Sequence, residues 1–194
     1  MSKKILGVTG YKQSGKDTFA RVLIEERGYV NIKFADALKD MIRSVIRIQG
    51  VSEDEIEDMV EGGEKENYSK YLGGKSPRYA MQTLGTEWGR DIIGEDFWVN
   101  VTKNRILSTK GNVIITDMRF HNECDLIKEL GGTTVRINRD GISDDEDTHP
   151  SEKNIPSLDV DREIVNNSSI YNLELEAFGL DLNTKKVYRY DNNS

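Results

Sequence analysis

The hydrophobic pattern of this chain switches repeatedly between short runs, which are apolar or alternate between apolar and polar residues, and longer stretches with an apolar residue every three or four positions. The short runs lie at residues 5–8, 29–34, 112–117, 133–138 and 161–166, and they predict strands. The longer stretches follow them, beginning near residues 17, 38, 97, 120 and 169, and they predict helices. Strands that alternate with helices form parallel sheets covered on both faces. We therefore predict an α/β fold with a central parallel sheet and helices on both faces.

Two further helix starts are marked by residues that cap helices. Ser52 is followed three positions later by Glu55, the spacing of a capping box. Ser76 precedes Pro77, which suits the first turn of a helix running on through the polar and apolar positions beyond residue 77.

The first strand leads into the sequence GYKQSGKDT, residues 10–18. Gly10, Gly15 and Lys16 have the spacing of a phosphate-binding loop, in which backbone N–H groups cradle phosphate oxygens. The N-terminus of the following helix faces the same anion, and Lys16 adds a positive charge for the β- and γ-phosphates. Asp17 stands where many such loops carry the Ser or Thr that binds Mg²⁺, and the hydroxyl comes one residue later, at Thr18. This departure favours kinases of small metabolites over switch or motor NTPases.

Further candidates follow the predicted strands, where ligands bind to open α/β sheets. Asp117 ends an apolar run and would lie beside the phosphate-binding loop, where it could hold Mg²⁺ directly or through water; the alternative is an N-cap aspartate. Asp36 and Lys39 follow the second strand and are candidates for binding a substrate; the alternative is an N-cap and a solvated lysine.

Four arginines are candidates for binding anions. Arg78 and Arg90 could clamp a phosphate through their guanidinium forks, or they could be ordinary helix-surface residues. Arg136 and Arg139 lie at or just before residues 139–156, which have no periodicity and which we interpret as a mobile lid. From there a cation could reach a transferring phosphoryl group.

Composition narrows the class of protein. The 194 residues suit one domain, and the net charge of −7 without a long basic tract disfavours a general nucleic-acid binder. Cys124 is the one cysteine, so we expect no internal disulfide, a reducing cytosol and a place in the core for Cys124 itself. No apolar run approaches the roughly 20 residues of a membrane span, and the N-terminus lacks a signal-peptide pattern, so we expect a cytoplasmic protein.

With these elements in place, the sequence resembles the deoxynucleoside monophosphate kinases encoded by bacteriophages. The matching stretches are GYKQSGKDT, FADALKD, QTLGTEWGRDIIGEDFWV, TDMRFHNE and DTHPSE, at residues 10–18, 34–40, 82–99, 116–123 and 147–152. They are spread in order over most of the chain, and the family carries the same Asp-Thr ending of the phosphate-binding loop.

The resemblance implies the P-loop kinase three-layer fold as one domain over residues 1–194, with a helical acceptor-binding insertion at about 36–110 and a lid at about 139–157. It implies ATP-dependent phosphorylation of deoxynucleoside 5′-monophosphates for DNA precursor synthesis, with Mg²⁺ as the metal. The partners are then small nucleotides, with no nucleic acid and no membrane. The oligomeric state stays open, with a homodimer suggested by analogy alone, and the location would be the host cytoplasm.

The resemblance also assigns roles to residues. The ATP side comprises Gln13, Ser14, Gly15, Lys16, Asp17 and Thr18. The acceptor side comprises Lys12, Leu38, Lys39, Gly85, Thr86, Trp98, Asp117, Arg119, Glu123, Thr148 and Glu152, to which we add Asp36, Arg78 and Arg90 from the reasoning above. Lys16, Asp117, Arg119 and Arg139 are the candidate catalytic residues, and Asp117 is the candidate metal ligand.

Two other functions remain open from sequence. One is a kinase of another phosphorylated metabolite, similar to phosphomevalonate kinase or dephospho-coenzyme A kinase, which would share the loop and differ in its acceptor. The other is a nucleotide-binding switch, against which stand the missing Ser/Thr after Lys16 and the absence of an N-K-x-D guanine-reading motif.

Overall fold

Five parallel strands form one sheet in the part of the chain that the structure describes, in the order β2-β3-β1-β4-β5. The computed structural model describes residues 3–142 and 153–183. The strands are β1 (Ile5–Thr9), β2 (Val30–Ile32), β3 (Val113–Ile115), β4 (Thr133–Asn138) and β5 (Arg162–Val165). Because all neighbouring pairs are parallel, the carboxyl ends of the five strands meet at one edge of the sheet.

In the described ranges, seven α-helices connect and follow the strands. They are α1 (Lys16–Arg27), α2 (Asp36–Arg47), α3 (Glu53–Val60), α4 (Pro77–Thr83), α5 (Phe97–Ser108), α6 (His121–Glu129) and α7 (Ile170–Asn183). A π-helix over Leu84–Ile93 continues α4, and short 3₁₀ turns occur at Gly63–Glu66, Lys70–Leu72 and Ile155–Ser157. None of the helices in the described ranges is long and apolar enough to cross a membrane.

The contacts divide the chain into two units. Residues 34–102 form one, which we call the helical unit, and the described residues before 34 and after 102 form the other, which we call the sheet unit. The helical unit begins two residues before the predicted insertion at 36–110. It ends inside that insertion, at residue 102.

In the sheet unit, strand β1 shows why helices cover both faces. All five residues of β1 are buried, and successive side chains point to opposite faces. Leu6 and Val8 belong to a core with Phe19 of α1 and Leu173 of α7. Gly7 faces the other way, where a Cβ atom would lie 3.0 Å from Ile127 of α6. The three-layer α/β fold predicted from the sequence is therefore confirmed.

The helical unit has a separate core formed by α2, α3 and α4. Its buried side chains include Ile42, Ile46, Ile56, Met59, Val60 and Met81. The predicted caps are confirmed, because the Ser52 side chain accepts a hydrogen bond from the Glu55 N–H and the Ser76 side chain accepts one from the Tyr79 N–H.

Residues 84–93 differ from the continuous α-helix that the sequence predicts after Pro77. The backbone there is a π-helix. The side chain of Trp98 packs against it. The Trp98 Nε1–H donates to the Gly85 carbonyl oxygen at 2.8 Å. A Cβ atom on Gly89 would lie 2.1 Å from the same nitrogen, so the indole ring takes the space of a side chain at that position. Wide helical turns of this kind often occur near functional sites.

Asp181 of α7 contacts three side chains from other parts of the sheet unit. Its Oδ1 accepts hydrogen bonds from the Tyr29 hydroxyl at 2.6 Å and from Lys4 Nζ at 3.0 Å. Arg27 Nε lies 3.8 Å from Oδ2. Burial raises the pKa of Asp181, but the hydrogen bonds from Tyr29 and Lys4 and the charges of Lys4 and Arg27 lower it, and the net direction is down. The folded protein therefore favours the carboxylate form.

We expect Asp181→Asn to lower the free energy of unfolding at pH 7 by about 2–3 kcal/mol, because the charge that compensates Lys4 is lost in a buried position. A carboxyl whose folded pKa is lowered stabilises the fold above its unfolded pKa, and this contribution disappears as the pH falls through the folded pKa. The difference between the two proteins should thus be complete at pH 7 and shrink below about pH 4. Urea unfolding at pH 7 and pH 3 measures it, and an equal difference at both values would contradict the role of the Asp181 charge.

Candidate active site

The loop between β1 and α1 has the backbone of a phosphate-binding loop. Gly10, Gln13 and Gly15 have positive φ values of 145°, 66° and 106°, so the backbone curls on itself. Lys16 Nζ donates to the Tyr11 carbonyl oxygen at 2.6 Å, and the Ser14 N–H donates to the same oxygen at 3.2 Å. Helix α1 begins at Lys16, and Gly15 before it has no side chain to cap the first turn. The N-terminus of α1 is therefore suited to an anion.

Gly10 fixes this loop against the sheet. A Cβ atom at Gly10 would lie 2.4 Å from the Ile137 carbonyl oxygen of β4 and 2.7 Å from Ser14 Oγ. Ser14 is buried, and in the described part of the chain neither its hydroxyl nor that of Thr9 has a hydrogen-bond partner. The first glycine of the motif is thus required by close packing as well as by its backbone angle.

Asn166 contacts this loop and was not among the site residues predicted from the sequence. It follows β5, and its Nδ2 donates to the Ser14 carbonyl oxygen at 2.9 Å. A cavity of about 270 Å³ opens next to it, lined in part by Ile164, Asn166, Ser168, Asn172 and Leu173. In the sequence Asn166 is the last residue of the predicted strand 161–166, which places it at the ligand-binding edge but does not reveal its contact with Ser14.

Asp117 lies at the same edge, two residues beyond β3. Because β3 pairs in parallel with β1, with Ile115 opposite Gly7, Asp117 and the phosphate-binding loop follow neighbouring strands. Glu123, which is buried, accepts hydrogen bonds at Oε2 from the N–H groups of Arg119 at 2.7 Å and Phe120 at 3.1 Å. It thereby holds the turn that carries Arg119.

The arginines near the predicted lid have different environments. Arg136 is buried and donates to Glu163 and to the Leu158 carbonyl oxygen, so it joins β4 to the residues around β5. Arg139 is exposed one residue beyond β4, which leaves it as the candidate for a phosphoryl group. Thr148 and Glu152 lie outside the described residues.

Cys124 is buried in α6, as predicted, and its thiol lies 3.2 Å from the Asp159 carbonyl oxygen. Burial raises the pKa of this thiol.

In the helical unit, the structure brings together three of the predicted acceptor residues. Leu38 lies 3.3 Å from the position of a Cβ atom on Gly85, and Gly85 accepts the hydrogen bond from Trp98. Trp98 is buried, whereas Thr86 is exposed. The Arg78 guanidinium lies 2.9 Å from Glu66, and that of Arg90 contacts the Glu95 carbonyl oxygen.

The alternatives for Asp36 and Lys39 do not describe this structure. Asp36 is the first residue of α2, and Ala35 occupies the capping position. Lys39 is not a solvated lysine: its side chain is 14% exposed, and Nζ lies 2.8 and 2.9 Å from the two carboxylate oxygens of Glu61.

The comparisons with known proteins agree on one family. The family model of deoxynucleotide monophosphate kinase matches residues 65–176. A protein of Acanthamoeba polyphaga mimivirus with the provisional name deoxynucleotide monophosphate kinase is 36% identical over 180 residues, which cover 86% of this chain and 90% of that protein. The deoxynucleoside-5′-monophosphate kinase of Escherichia phage T5 is 34% identical over 122 residues, 57% of this chain and 46% of that protein.

A solved structure supports the fold alone. The crystal structure of TT1252 from Thermus thermophilus aligns with a TM-score of 0.51 at 17% identity, covering 94% of this chain and 99% of that one.

Proposed function

Since this chain belongs to the deoxynucleotide monophosphate kinase family, we propose that it transfers the γ-phosphoryl group of ATP to a deoxynucleoside 5′-monophosphate, releasing ADP and a diphosphate for DNA synthesis. The observation that carries the proposal is the phosphate-binding loop itself, with its three positive φ values, followed at once by Lys16 and the N-terminus of α1. The family relationship supplies the acceptor, which the loop alone does not specify.

On the ATP side, the N–H groups of residues 13–18 would bind the β- and γ-phosphates, and Lys16 would add its charge. In the structure Lys16 Nζ is held by the Tyr11 carbonyl oxygen, a contact that the phosphates would replace. The cavity beside Asn166 would take the base, because it joins an apolar wall from Ile164 and Leu173 to polar groups from Asn166, Ser168 and Asn172.

Asp117 would hold Mg²⁺, directly or through water. No cluster of three or more His, Cys, Asp or Glu side chains that could hold a metal occurs within the described ranges. One carboxylate fits Mg²⁺ nonetheless, because this ion in kinases is bound by few protein groups, with substrate phosphates and water completing its octahedral shell. When bound, the ion neutralises charge on the transferring phosphoryl group.

The acceptor monophosphate is a dianion, and Lys39, Arg78 and Arg90 are its proposed cations in the helical unit. In the sheet unit, Lys12 and Arg119 are the proposed acceptor residues. The acceptor oxygen forms a bond to the γ-phosphorus as the bond to the ADP oxygen breaks. Phosphoryl transfer depends on positioning and on charge neutralisation and needs no covalent nucleophile. We propose that a lid at residues 139–157 excludes water, with Arg139 at its start; residues 143–152 of this segment lie outside the described residues.

The proposal is tested by measuring ADP formation from ATP and Mg²⁺ with dAMP, dGMP, dCMP and dTMP, and with the matching ribonucleotides. We expect turnover with at least one deoxynucleotide and none with phosphomevalonate or dephospho-coenzyme A as acceptors. Turnover with one of the latter alone would assign another acceptor, and ATP binding without acceptor-dependent turnover would favour a switch.

Asn166→Ala should raise the KM for ATP by about 10-fold, since a displaced loop binds the phosphates less tightly, while the KM for the acceptor changes little. The reason is the hydrogen bond from Asn166 to the Ser14 carbonyl oxygen. Asn167→Ala is the matched control, because Asn167 accepts a hydrogen bond from the Asp140 N–H instead. Equal effects of the two variants would show that the Asn166 contact does not support the loop.

A further inference from the structure

Helices α2 and α3 of the helical unit are joined by a ladder of ion pairs. Three cations lie four residues apart on α2 and face three carboxylates at the same spacing along α3 and its end. The pairs are Lys39–Glu61 at 2.8 Å, Arg43–Glu57 at 2.7 Å and Arg47–Glu53 at 2.6 Å. Residues four apart share one face of a helix, so two antiparallel helices can pair in this register. The ladder gives a structural role to the acidic stretch 53–66, which no motif explains.

The pairs at the two ends of this ladder differ in exposure. The Arg47 and Glu53 side chains are 47% and 62% exposed, so they form a surface pair of the kind that contributes little to stability. The Lys39 side chain is 14% exposed, and its Nζ contacts both carboxylate oxygens of Glu61. The Lys39 ammonium therefore has a defined position.

Glu61 is itself held by other cations. Arg43 Nη2 donates to Glu61 Oε1 at 3.0 Å and to Glu57 Oε2 at 3.2 Å, and Arg43 Nε donates to Glu57 Oε1 at 2.7 Å. Lys65 Nζ lies 3.9 Å from Glu61 Oε2. Arg43 thus holds the Glu61 carboxylate in place, and this carboxylate in turn holds the Lys39 ammonium.

We propose that Glu61 is a positioning residue for the acceptor: held by Arg43, it orients Lys39 so that the ammonium can bind the 5′-phosphate of the deoxynucleotide. This rests on the proposed function, which gives Lys39 its role. A lysine side chain is long and flexible, and its ammonium has three donors. A carboxylate that restrains it reduces the ordering needed when the phosphate binds.

If Glu61 acted through its charge alone, its removal would change the KM for the acceptor in the opposite direction. The direction of that change therefore tests the proposal. If Glu61 only repelled the phosphate dianion, removing its charge would lower the KM for the acceptor. If it orients Lys39, removing its charge raises that KM.

The experiment compares Glu61→Gln with Glu53→Gln, which removes a carboxylate from the far end of the same ladder. We expect Glu61→Gln to raise the KM for the deoxynucleotide about 5- to 10-fold and to leave the KM for ATP and kcat within about 2-fold, the pattern of weakened substrate binding. Glu53→Gln should leave all three within about 2-fold. In a Lys39→Met background, Glu61→Gln should have no further effect, because the residue through which it acts is gone.

Thermal unfolding of each variant checks the fold, and Glu61→Asp covers the case in which the glutamine variant unfolds. Aspartate keeps the charge but is one methylene shorter, so orientation predicts a raised acceptor KM and a pure charge effect predicts none.

An unchanged or lower acceptor KM in Glu61→Gln, or an equal rise in the Lys39→Met background, would overturn the proposal. Its failure is distinguishable from failure of the proposed function. If the unaltered protein has no turnover with any deoxynucleotide, the function fails and this role with it. If Lys39→Met leaves the acceptor KM unchanged, the assignment of Lys39 fails. Normal turnover with no response to Glu61→Gln rejects the positioning role alone.

Discussion

Lys16→Ala is expected to lower kcat for phosphoryl transfer by at least about 100-fold, the range seen when one preorganised charge-stabilising group is removed from an active site. Lys16 is the first residue of α1, directly after the loop glycine, and its Nζ reaches back to the Tyr11 carbonyl oxygen. From that position its ammonium group can stabilise the negative charge that develops on the β- and γ-phosphate oxygens. Steady-state ADP formation at saturating ATP and acceptor measures the loss.

The fold should survive this change. Lys16 is only partly buried, and the substitution removes the hydrogen bond from Nζ to the Tyr11 carbonyl oxygen, worth about 1 kcal/mol. Arg21→Ala is the matched control, because it removes an exposed cation from the same helix. We expect near-normal kcat in that variant. Full activity of Lys16→Ala, or an equal loss in Arg21→Ala, would contradict the assignment of the loop.

The strands were predictable because each carries its own pattern. Strand β4 has the predicted bounds, residues 133–138, since its apolar and polar positions alternate and four of its six residues are buried. Strand β2 is shorter than the predicted 29–34. It pairs only along Val30–Ile32 with β3 at the edge of the sheet, and a pattern in one segment does not reveal how far its neighbour extends.

The phosphate-binding loop was predictable for a different reason. Its glycines and its lysine lie within a few residues of one another in the sequence, so their spacing alone reveals the loop. Asn166 and Glu61 were not predictable, because their roles depend on partners distant in sequence. Asn166 donates to Ser14, 152 positions earlier. The spacing of four in residues 39, 43 and 47 and in residues 53, 57 and 61 is visible in the sequence, but the register that pairs Lys39 with Glu61 is set by helix packing.

The π-helix marks a further limit. The apolar positions of residues 84–93 suit a helix, but the widening of its turns follows from the Trp98 ring against Gly89 and from the hydrogen bond to Gly85. That contact brings in a side chain from the next helix, α5. The local period of apolar residues therefore predicts that a helix is present, but it does not predict how wide the turns of that helix are.

Gly10→Ala is expected to lower kcat/KM for ATP by about 100-fold, the effect of displacing catalytic groups by about 1 Å. Two constraints act at this residue. Its φ of 145° is one that L-residues with a side chain rarely adopt. The added Cβ would also lie 2.4 Å from the Ile137 carbonyl oxygen, a backbone atom of β4 that cannot rotate away. The loop must therefore move, and its N–H groups move with it.

Gly28→Ala controls for the loss of stability that a strained backbone causes by itself. Gly28 ends α1 with a φ of 65°, also in the left-handed region, but nothing lies within 4 Å of its added Cβ. The substitution should cost about 1 kcal/mol of stability and leave kcat/KM for ATP unchanged, because a left-handed residue other than glycine is strained wherever it occurs. A large loss of activity confined to Gly10→Ala would show that the effect arises in the phosphate-binding loop and is not a general result of backbone strain. Similar activity in both variants would mean that the loop tolerates the displacement, and that its contact with the sheet does not set the geometry for phosphate binding.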